Sequence, residues 1–361
     1  MRTLMLLLAV AAPGALCAQT APTWHLQLDH AIRPTEGSAG VLGDVSYLVV
    51  TRSGVVYVAE RKAPRVTRYE TTGEFGGAVM RDGSGPREVR VPEIALQADT
   101  LVVFDPQLSR LSRIAPTGTL LTERRVEVSA RGFPIWTTRD GAIWIDAAFR
   151  NAVTNHGALR IAANGHVDTV AWTERLADHQ WIIWTLPAAV IKGGPFSAAP
   201  SAVVDPAGRI VFGGSRASRW YVLSGKDTVQ RVMLPDHPVT IPAAVRDSAW
   251  DAFLARVKST PGAATGLKKD QLPTTLPAWV TLDINPRGEW WIGRPGMDGR
   301  LGAWDVVDNG KIVGHVLVPP RVIQGPGVYG RAMGTDLVAL LQEDENGVPW
   351  IGVYRIVRAQ R

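Results

Sequence analysis

The chain has 361 residues, of which 46% are hydrophobic and 20% are charged, so it contains enough apolar material for a globular core. Its net charge is +6, but the lysines and arginines are spread along the sequence, and no dense basic stripe indicates a nucleic-acid interface. The single cysteine, Cys17, excludes an internal disulfide.

The first 18 residues have the pattern of an export signal. Arg2 supplies the positive charge, residues 4–12 are apolar, and Pro13 precedes a run of small residues. We expect cleavage after Ala18 or Cys17, and a periplasmic or secreted product. The alternative is a buried N-terminal helix. Lipid anchoring through Cys17 is disfavoured because a leucine precedes it, and no later stretch is apolar enough to predict a transmembrane segment.

One sequence unit recurs along the rest of the chain. It begins with a turn glycine or aspartate and continues with a short run rich in Val, Ile and Trp, which is typical of a strand. The six anchors of this unit are Gly54, Asp99, Gly141, Gly208, Gly288 and Gly334.

The second half of the unit repeats as well. Residues 65–73 align with residues 110–118, and each segment reads as a strand that ends in a glycine-bearing hairpin turn. Further copies occupy residues 159–165, 220–225 and 304–310. Four strands per unit, at a period of about 40 to 50 residues, predict a six-bladed β-propeller. Residues 19–361 would then form a single all-β domain.

Two insertions explain the uneven spacing of the anchors. Residues 172–195 carry three tryptophans between the third and fourth units. Residues 240–258, between the fourth and fifth, predict a helix with Thr240 as its cap and Pro242 in its first turn. Its apolar stripe, which includes Trp250 and Phe253, is expected to pack against the outside of the propeller or to cover one rim.

The ends of the chain predict how the ring closes. After Gly334 only two further strands fit, so that the last blade, with an inner strand near residues 329–333, has three strands of its own. Residues 24–28 form an isolated strand pattern at the start of the mature chain. We expect this strand to supply the fourth strand and to remove an open sheet edge.

Residues 82–89, Asp-Gly-Ser-Gly-Pro-Arg-Glu-Val, are similar to the Gly-x-Gly-Pro-Gly-Glu-Phe element of bacterial six-bladed propellers of the NHL-repeat type. Residues 65–74 resemble the third strand and turn of that repeat. Arg87 stands where the family has a glycine, and Val89 stands where phenylalanine is usual. The resemblance implies an exported protein that acts as a binding module.

Arginine dominates the loops that are expected to surround one end of the channel. If these side chains converge, they would bind an anionic ligand, because guanidinium pairs with carboxylate or phosphate. The alternative is a set of solvated loops with weak local ion pairs. The candidate ligand-binding residues are Arg61, Arg87, Arg131, Arg150, Arg216 and Arg294.

Catalytic patterns are weak in this sequence. The seven histidines have no metal-ligand spacing, and no nucleophile or phosphate-loop motif occurs, so we assign no catalytic residue, metal or cofactor. Residues 343–347 are acidic but read as a hairpin turn. Six-bladed propellers include gluconolactonase-type hydrolases, to whose metal site Asp146 and Asn151 could correspond, although fold likeness alone does not license that activity.

The sequence therefore favours a monomeric, non-catalytic binding or scaffolding propeller outside the cytoplasm. Its partner would be a protein, a peptide, a glycan or an anionic ligand, and not a nucleic acid. The alternative is a metal-dependent hydrolase or lyase with its site in the central channel.

Overall fold

The computed structural model describes residues 21–33, 40–126, 131–148, 156–171, 183–186, 189–192, 194–197, 200–225, 227–236, 238–258, 267–323 and 329–359. The predicted export signal, residues 1–18, lies outside the described residues, as do Arg150 and Asn151. Within the described part of the chain, no helix is both long enough and apolar enough to cross a membrane.

Strands dominate the fold. The described chain begins with β1 (Thr23–Ile32), which belongs to the last sheet. The first sheet contains β2 (Val45–Val50), β3 (Val56–Glu60), β4 (Arg65–Tyr69), β5 (Phe75–Asp82) and β6 (Glu88–Val89). The second contains β7 (Glu93–Gln97), β8 (Thr100–Asp105), β9 (Arg110–Ile114) and β10 (Leu120–Arg125). The third contains β11 (Arg131–Thr137), β12 (Ile143–Ala148), β13 (His156–Ile161) and β14 (Val167–Ala171).

A separate hairpin, β15 (Ile183–Leu186) and β16 (Ala189–Lys192), lies in the first predicted insertion. The next four-stranded sheet contains β17 (Pro200–Val204), β18 (Ile210–Gly214), β19 (Arg219–Ser224) and β20 (Asp227–Met233). The last, eight-stranded sheet joins β21 (Thr281–Ile284), β22 (Trp290–Pro295), β23 (Leu301–Asp308) and β24 (Lys311–Leu317) to β1, β27 (Pro349–Val357), β26 (Leu337–Glu343) and β25 (Arg331–Met333).

The first strand of each successive run lies beside the first strand of the next. Contacts join β2 to β7, β7 to β11, β11 to β17, β17 to β21, and β25 to β2. An ion pair of 2.6 Å between Arg331 Nε and Asp283 Oδ2 connects β25 to β21 and completes the ring. These inner strands surround a central channel, and apolar side chains fill the space between neighbouring sheets. The fold is therefore an all-β propeller, as the repeats predict.

The N-terminal strand closes the last sheet, as expected from its isolated position. β1 pairs in antiparallel register with β27 from His25 to Ile32. It also pairs in parallel with β24 through Thr23 and Trp24, a contact that the sequence pattern does not indicate. The Trp24 side chain is buried between the two halves of this sheet, so that β1 joins what would otherwise be a separate four-stranded unit, β21–β24, and a three-stranded unit, β25–β27.

The turns that link the first and second strands are built locally. In two of them, Asp205 and Asn285 each accept two backbone N–H bonds at 2.9–3.0 Å from the residues that follow. The anchors of the same two turns, Gly208 and Gly288, have φ of 79° and 90°, which glycine adopts at little steric cost. The glycine pattern therefore located these turns correctly.

The predicted helix is α1 (Ala243–Val257). Trp250 and Phe253 are buried and pack against Leu267 and Leu272, which follow the helix in the chain. Thr240 is not the cap: the helix begins after Pro242, and no side chain caps it. The apolar stripe is therefore core packing within the insertion.

Candidate functional site

Two arginines that recur in the repeat hold the loops that enter the first two sheets. Arg65 binds the buried carboxylate of Glu60 and donates to the carbonyl of Val41 at 2.6 Å. Arg110, at the equivalent place 45 residues later, donates to the carbonyls of Gly85 and Glu88 at 2.8 and 2.7 Å. The repeated arginines therefore hold the entering loops in place through hydrogen bonds to backbone carbonyls.

Arg294 performs the same task in the later part of the chain. Its Nε pairs with Asp305 at 2.6 Å, and its Nη1 donates to the Ala278 carbonyl at 2.6 Å and to Ser218 Oγ at 3.1 Å. Only 18% of the Arg294 side chain is exposed. Its guanidinium is therefore engaged by the protein itself, which leaves little of it for a ligand.

Of the other five candidate arginines, Arg61, Arg87 and Arg216 make no described contact with one another. Arg61 lies over the Tyr47 ring, and Arg216 is exposed in the turn between β18 and β19. Arg87 lies in the loop before β6, and its Nη2 donates to the carbonyls of Val79 and Gly118 at 3.3 Å. Arg131 begins β11, and nothing is described of its side chain; Arg150 lies outside the described residues.

Arg61 belongs to a polar cluster beside the start of the inner strands. Its Nη2 lies 3.5 Å from the Tyr47 hydroxyl, and Tyr47 stacks on Tyr329 with ring centroids 4.8 Å apart. Burial, together with the fully buried Glu93 carboxylate, raises the pKa of Tyr47 far above its usual range. Tyr47 therefore stays protonated, and the stack joins the first and last inner strands.

The central channel is a cavity of about 690 Å³. Half-buried apolar side chains from all six inner strands form a belt around it, and they are Val49, Leu96, Trp136, Ala202, Ile284 and Met333. Cavities of this size with an apolar wall and a few polar groups are typical of sites for small molecules.

Positive charge surrounds one mouth of this channel. Arg52 and Arg139 both line the cavity, are exposed, and make no ion pair with any described residue. Arg331 lines the wall and is balanced by Asp283. Each of these two arginines lies two residues before an anchor glycine: Arg52 precedes Gly54, and Arg139 precedes Gly141. That spacing could have located them from the sequence.

The channel does not contain a recognisable catalytic set. Among the described residues, no group of three or more His, Cys, Asp or Glu side chains could hold a metal ion. Asp146 lies in β12, but nothing is described of its side chain, and Asn151 is outside the described residues. His315 contacts Asp305 at 2.7 Å on the outer part of the last sheet. Asp305 also binds Arg294, and neither Asp305 nor His315 lines the channel.

Comparisons with known proteins support the fold alone. No family description matches the chain, and no curated protein matches its sequence. The solved structure of a Bacteroides fragilis protein described as a "Putative exported protein" is similar with a TM-score of 0.52 and 9% identity, covering 95% of this chain and 97% of that one. Regucalcin from Agrobacterium tumefaciens is similar with a TM-score of 0.45 and 14% identity, covering 94% and 97%. Streptogramin B lyase has a TM-score of 0.41 with 10% identity, covering 94% and 88%.

Proposed function

We propose that the chain is a non-catalytic binding protein outside the cytoplasm. It is a six-bladed propeller that holds an anionic ligand with an apolar body in its central channel. The single observation that carries this proposal is the pairing of an apolar belt with two guanidinium groups, at the same channel mouth, that form no ion pair with any described residue.

The architecture supports six blades in one domain, residues 19–361. Six inner strands adjoin one another in a ring, and β1 gives the last of them a fourth strand. On this count α1 lies between the fourth and fifth blades. The similarity of residues 82–89 to the NHL-repeat type agrees with the same count, and residues 1–18 support export without a lipid anchor at Cys17.

The charge at the mouth supports an anion. Arg52 and Arg139 carry two positive charges, and Arg331 and Asp283 cancel each other on the wall. The charged side chains that line the cavity therefore sum to two positive charges, and a positively charged mouth above low-dielectric walls concentrates oppositely charged ligands. The apolar belt then favours a ligand whose body is aliphatic or aromatic, so that a carboxylate, sulfonate or phosphate group stays at the mouth while the body enters the channel.

The test uses the fluorescent probe 8-anilinonaphthalene-1-sulfonate, which combines an aromatic body with one sulfonate. We expect saturable binding of one probe per folded chain. The double variant Arg52→Glu/Arg139→Glu should weaken binding by at least about tenfold, since two attractive charges become repulsive. Titration is monitored by probe fluorescence at low ionic strength, well below the unfolding temperature.

The matched control is Arg219→Glu/Arg231→Glu, which makes the same change in net charge. Both residues are exposed, and neither lines the channel. Equal weakening in both variants would show that only the overall charge matters, and unchanged binding in the channel variant would refute the channel site. A natural ligand or protein partner would then be sought by pull-down from the native envelope fraction, with the channel variant as the comparison.

A further inference from the structure

A second cavity, with a polar lining, lies away from the channel and between the outer strands of the first two sheets. Its volume is about 570 Å³, and it is lined by segments 76–79 and 117–120 together with Arg68 and Arg87. We propose that this cavity, called here the outer pocket, binds a tetrahedral oxyanion, that is, a sulfate or phosphate group.

The floor of the outer pocket is kept open by glycine. The register of β5 against β4 shifts between Val66 and Thr67 and again between Arg68 and Tyr69, and Gly77, which lies between these two irregularities opposite Arg68, has a φ of 110°. A β-carbon added at Gly77 would meet no atom within 4 Å, so the space above it is open. Bulges of this kind commonly occur next to binding sites, where they change the direction of side chains and expose backbone groups.

Arg87 adopts a backbone conformation that a glycine would adopt more easily. Its φ is 59°, in the left-handed region, where a non-glycine residue is disfavoured. The Nη2 of Arg87 makes only two long hydrogen bonds, of 3.3 Å each, to the Val79 and Gly118 carbonyls. Local contacts therefore explain poorly why an arginine occupies this position. A residue held in strain beside a cavity is better explained by a ligand for its remaining N–H donors.

Arg68 also lines the cavity. Its Nη1 pairs with Glu70 at 2.8 Å, and its Nε is buried away from solvent, so a ligand in the cavity would have to reach the outer edge of the guanidinium group. The hydroxyls of Thr117 and Thr119 are hydrogen-bonded to each other at 3.1 Å, so this pair leaves one O–H group that can donate to a ligand.

The chemistry of these donors favours an oxyanion. Two guanidinium groups and the threonine hydroxyls lie around a glycine floor. Two carboxylates adjoin them: Glu70 pairs with Arg68, and Glu123 pairs with Arg110 and accepts the backbone N–H of Arg87 at 3.4 Å. Guanidinium binds sulfate and phosphate oxygens through charge-assisted hydrogen bonds. The polar lining offers little to an apolar ligand, so the free ion and a sulfate or phosphate ester of a sugar are the two sources of this group.

The test measures binding of inorganic sulfate to the full chain by calorimetry at low ionic strength. We expect saturable binding by the native chain, and Arg87→Gly should weaken it by about tenfold or more while lowering the melting temperature little, because glycine relieves the positive φ. Arg68→Gln, which leaves the backbone unstrained, should weaken binding to a similar extent. The matched control is Arg81→Gln, an exposed arginine on β5 outside the pocket, which should change nothing.

Two further arms separate the alternatives. Glucose 6-sulfate and glucose, titrated in parallel, distinguish a sugar ester from the free ion: tighter binding of the ester than of sulfate favours the ester. The sulfate titration is repeated in the double variant Arg52→Glu/Arg139→Glu, which removes any sulfate bound at the channel mouth. Binding to the outer pocket is then tested independently of the proposed function. No saturable sulfate binding in that background, or a loss of stability in Arg87→Gly without a change in sulfate affinity, would overturn the proposal and leave Arg87 as a structural bond between two sheets.

Discussion

Trp24 provides the sharpest test of how the propeller closes. Its ring is 6% exposed, lies edge-on to Trp291 with centroids 6.4 Å apart, and has the Arg358 guanidinium 5.0 Å above it. It also covers Gly314 of β24, where an added β-carbon would lie 2.5 Å from the ring. Trp24 therefore connects β1 to β24 and to the body of the sheet by side-chain packing.

Replacing Trp24 by alanine should cost about 3–5 kcal/mol of the free energy of unfolding, which is the usual range for a buried aromatic residue. That range already includes the aromatic pair and the cation–π contact. A chain of this length has an unfolding entropy of roughly 0.7 kcal/mol/K at its midpoint, so we expect the melting temperature to fall by about 4–7 °C. Differential scanning calorimetry measures the shift, and urea unfolding gives the free energy.

The control is Leu28→Thr on the same strand. Leu28 is 49% exposed, so this change should alter the free energy of unfolding by no more than about 0.5 kcal/mol. A melting temperature of Trp24→Ala within about 1 °C of the native value would refute the closing role of β1. An equal loss in both variants would assign the effect to general disturbance of the strand.

A double-mutant cycle isolates the contact between Trp24 and Gly314. Gly314→Ala alone should destabilise the protein, because its methyl group would collide with the ring. In the Trp24→Ala background the same change should cost much less, since the ring is gone. Additive losses would show that the two residues do not act through each other.

Two further predictions concern ion pairs. Arg294→Met should lower the free energy of unfolding by about 3–5 kcal/mol, because it leaves the buried Asp305 without the guanidinium group that pairs with it. Adding Asp305→Asn should recover part of that loss, as measured by urea unfolding. Asp140 accepts hydrogen bonds from Thr138 and Arg160, which lower the pKa of its carboxyl from 3.8 to about 2. Its stabilising effect is therefore present above pH 3.8 and is lost as the pH falls towards 2. The melting temperature of Asp140→Asn should lie below that of the native chain at neutral pH and converge with it in acid; a gap that persists at low pH would contradict this explanation.

Much of the architecture could be predicted from local sequence. The anchors Gly208 and Gly288 lie at turns because their backbone needs positive φ, and the preceding Asp205 and Asn285 satisfy the turn amides within a few residues. The apolar stripe of α1 and the isolated strand before Arg33 were visible for the same reason, since periodicity is a short-range signal. Thr240 was a wrong choice of cap because the helix begins two residues later, after Pro242.

The candidate site was less accessible to such reasoning. Loop position could not distinguish Arg294, whose partners Ser218 and Ala278 hold it in place, from an arginine that is open to a ligand. Arg61, Arg87, Arg131, Arg150, Arg216 and Arg294 stay predictions as ligand-binding residues. Arg52 and Arg139 were not among them, because the predicted loops lie at the other end of the inner strands.

The sequence by itself determined the repeat, the turns, the helix and the need for a closing strand, because each depends on residues that are neighbours in the chain. Only the tertiary structure decided which guanidinium groups are already engaged and which face a cavity. Arg294 meets Ser218 across 76 positions, and the channel wall runs from Tyr47 to Thr335. The parallel pairing of β1 with β24 likewise joins Thr23 to His315. Contacts between residues so far apart follow from the closure of the ring, and no local pattern encodes them.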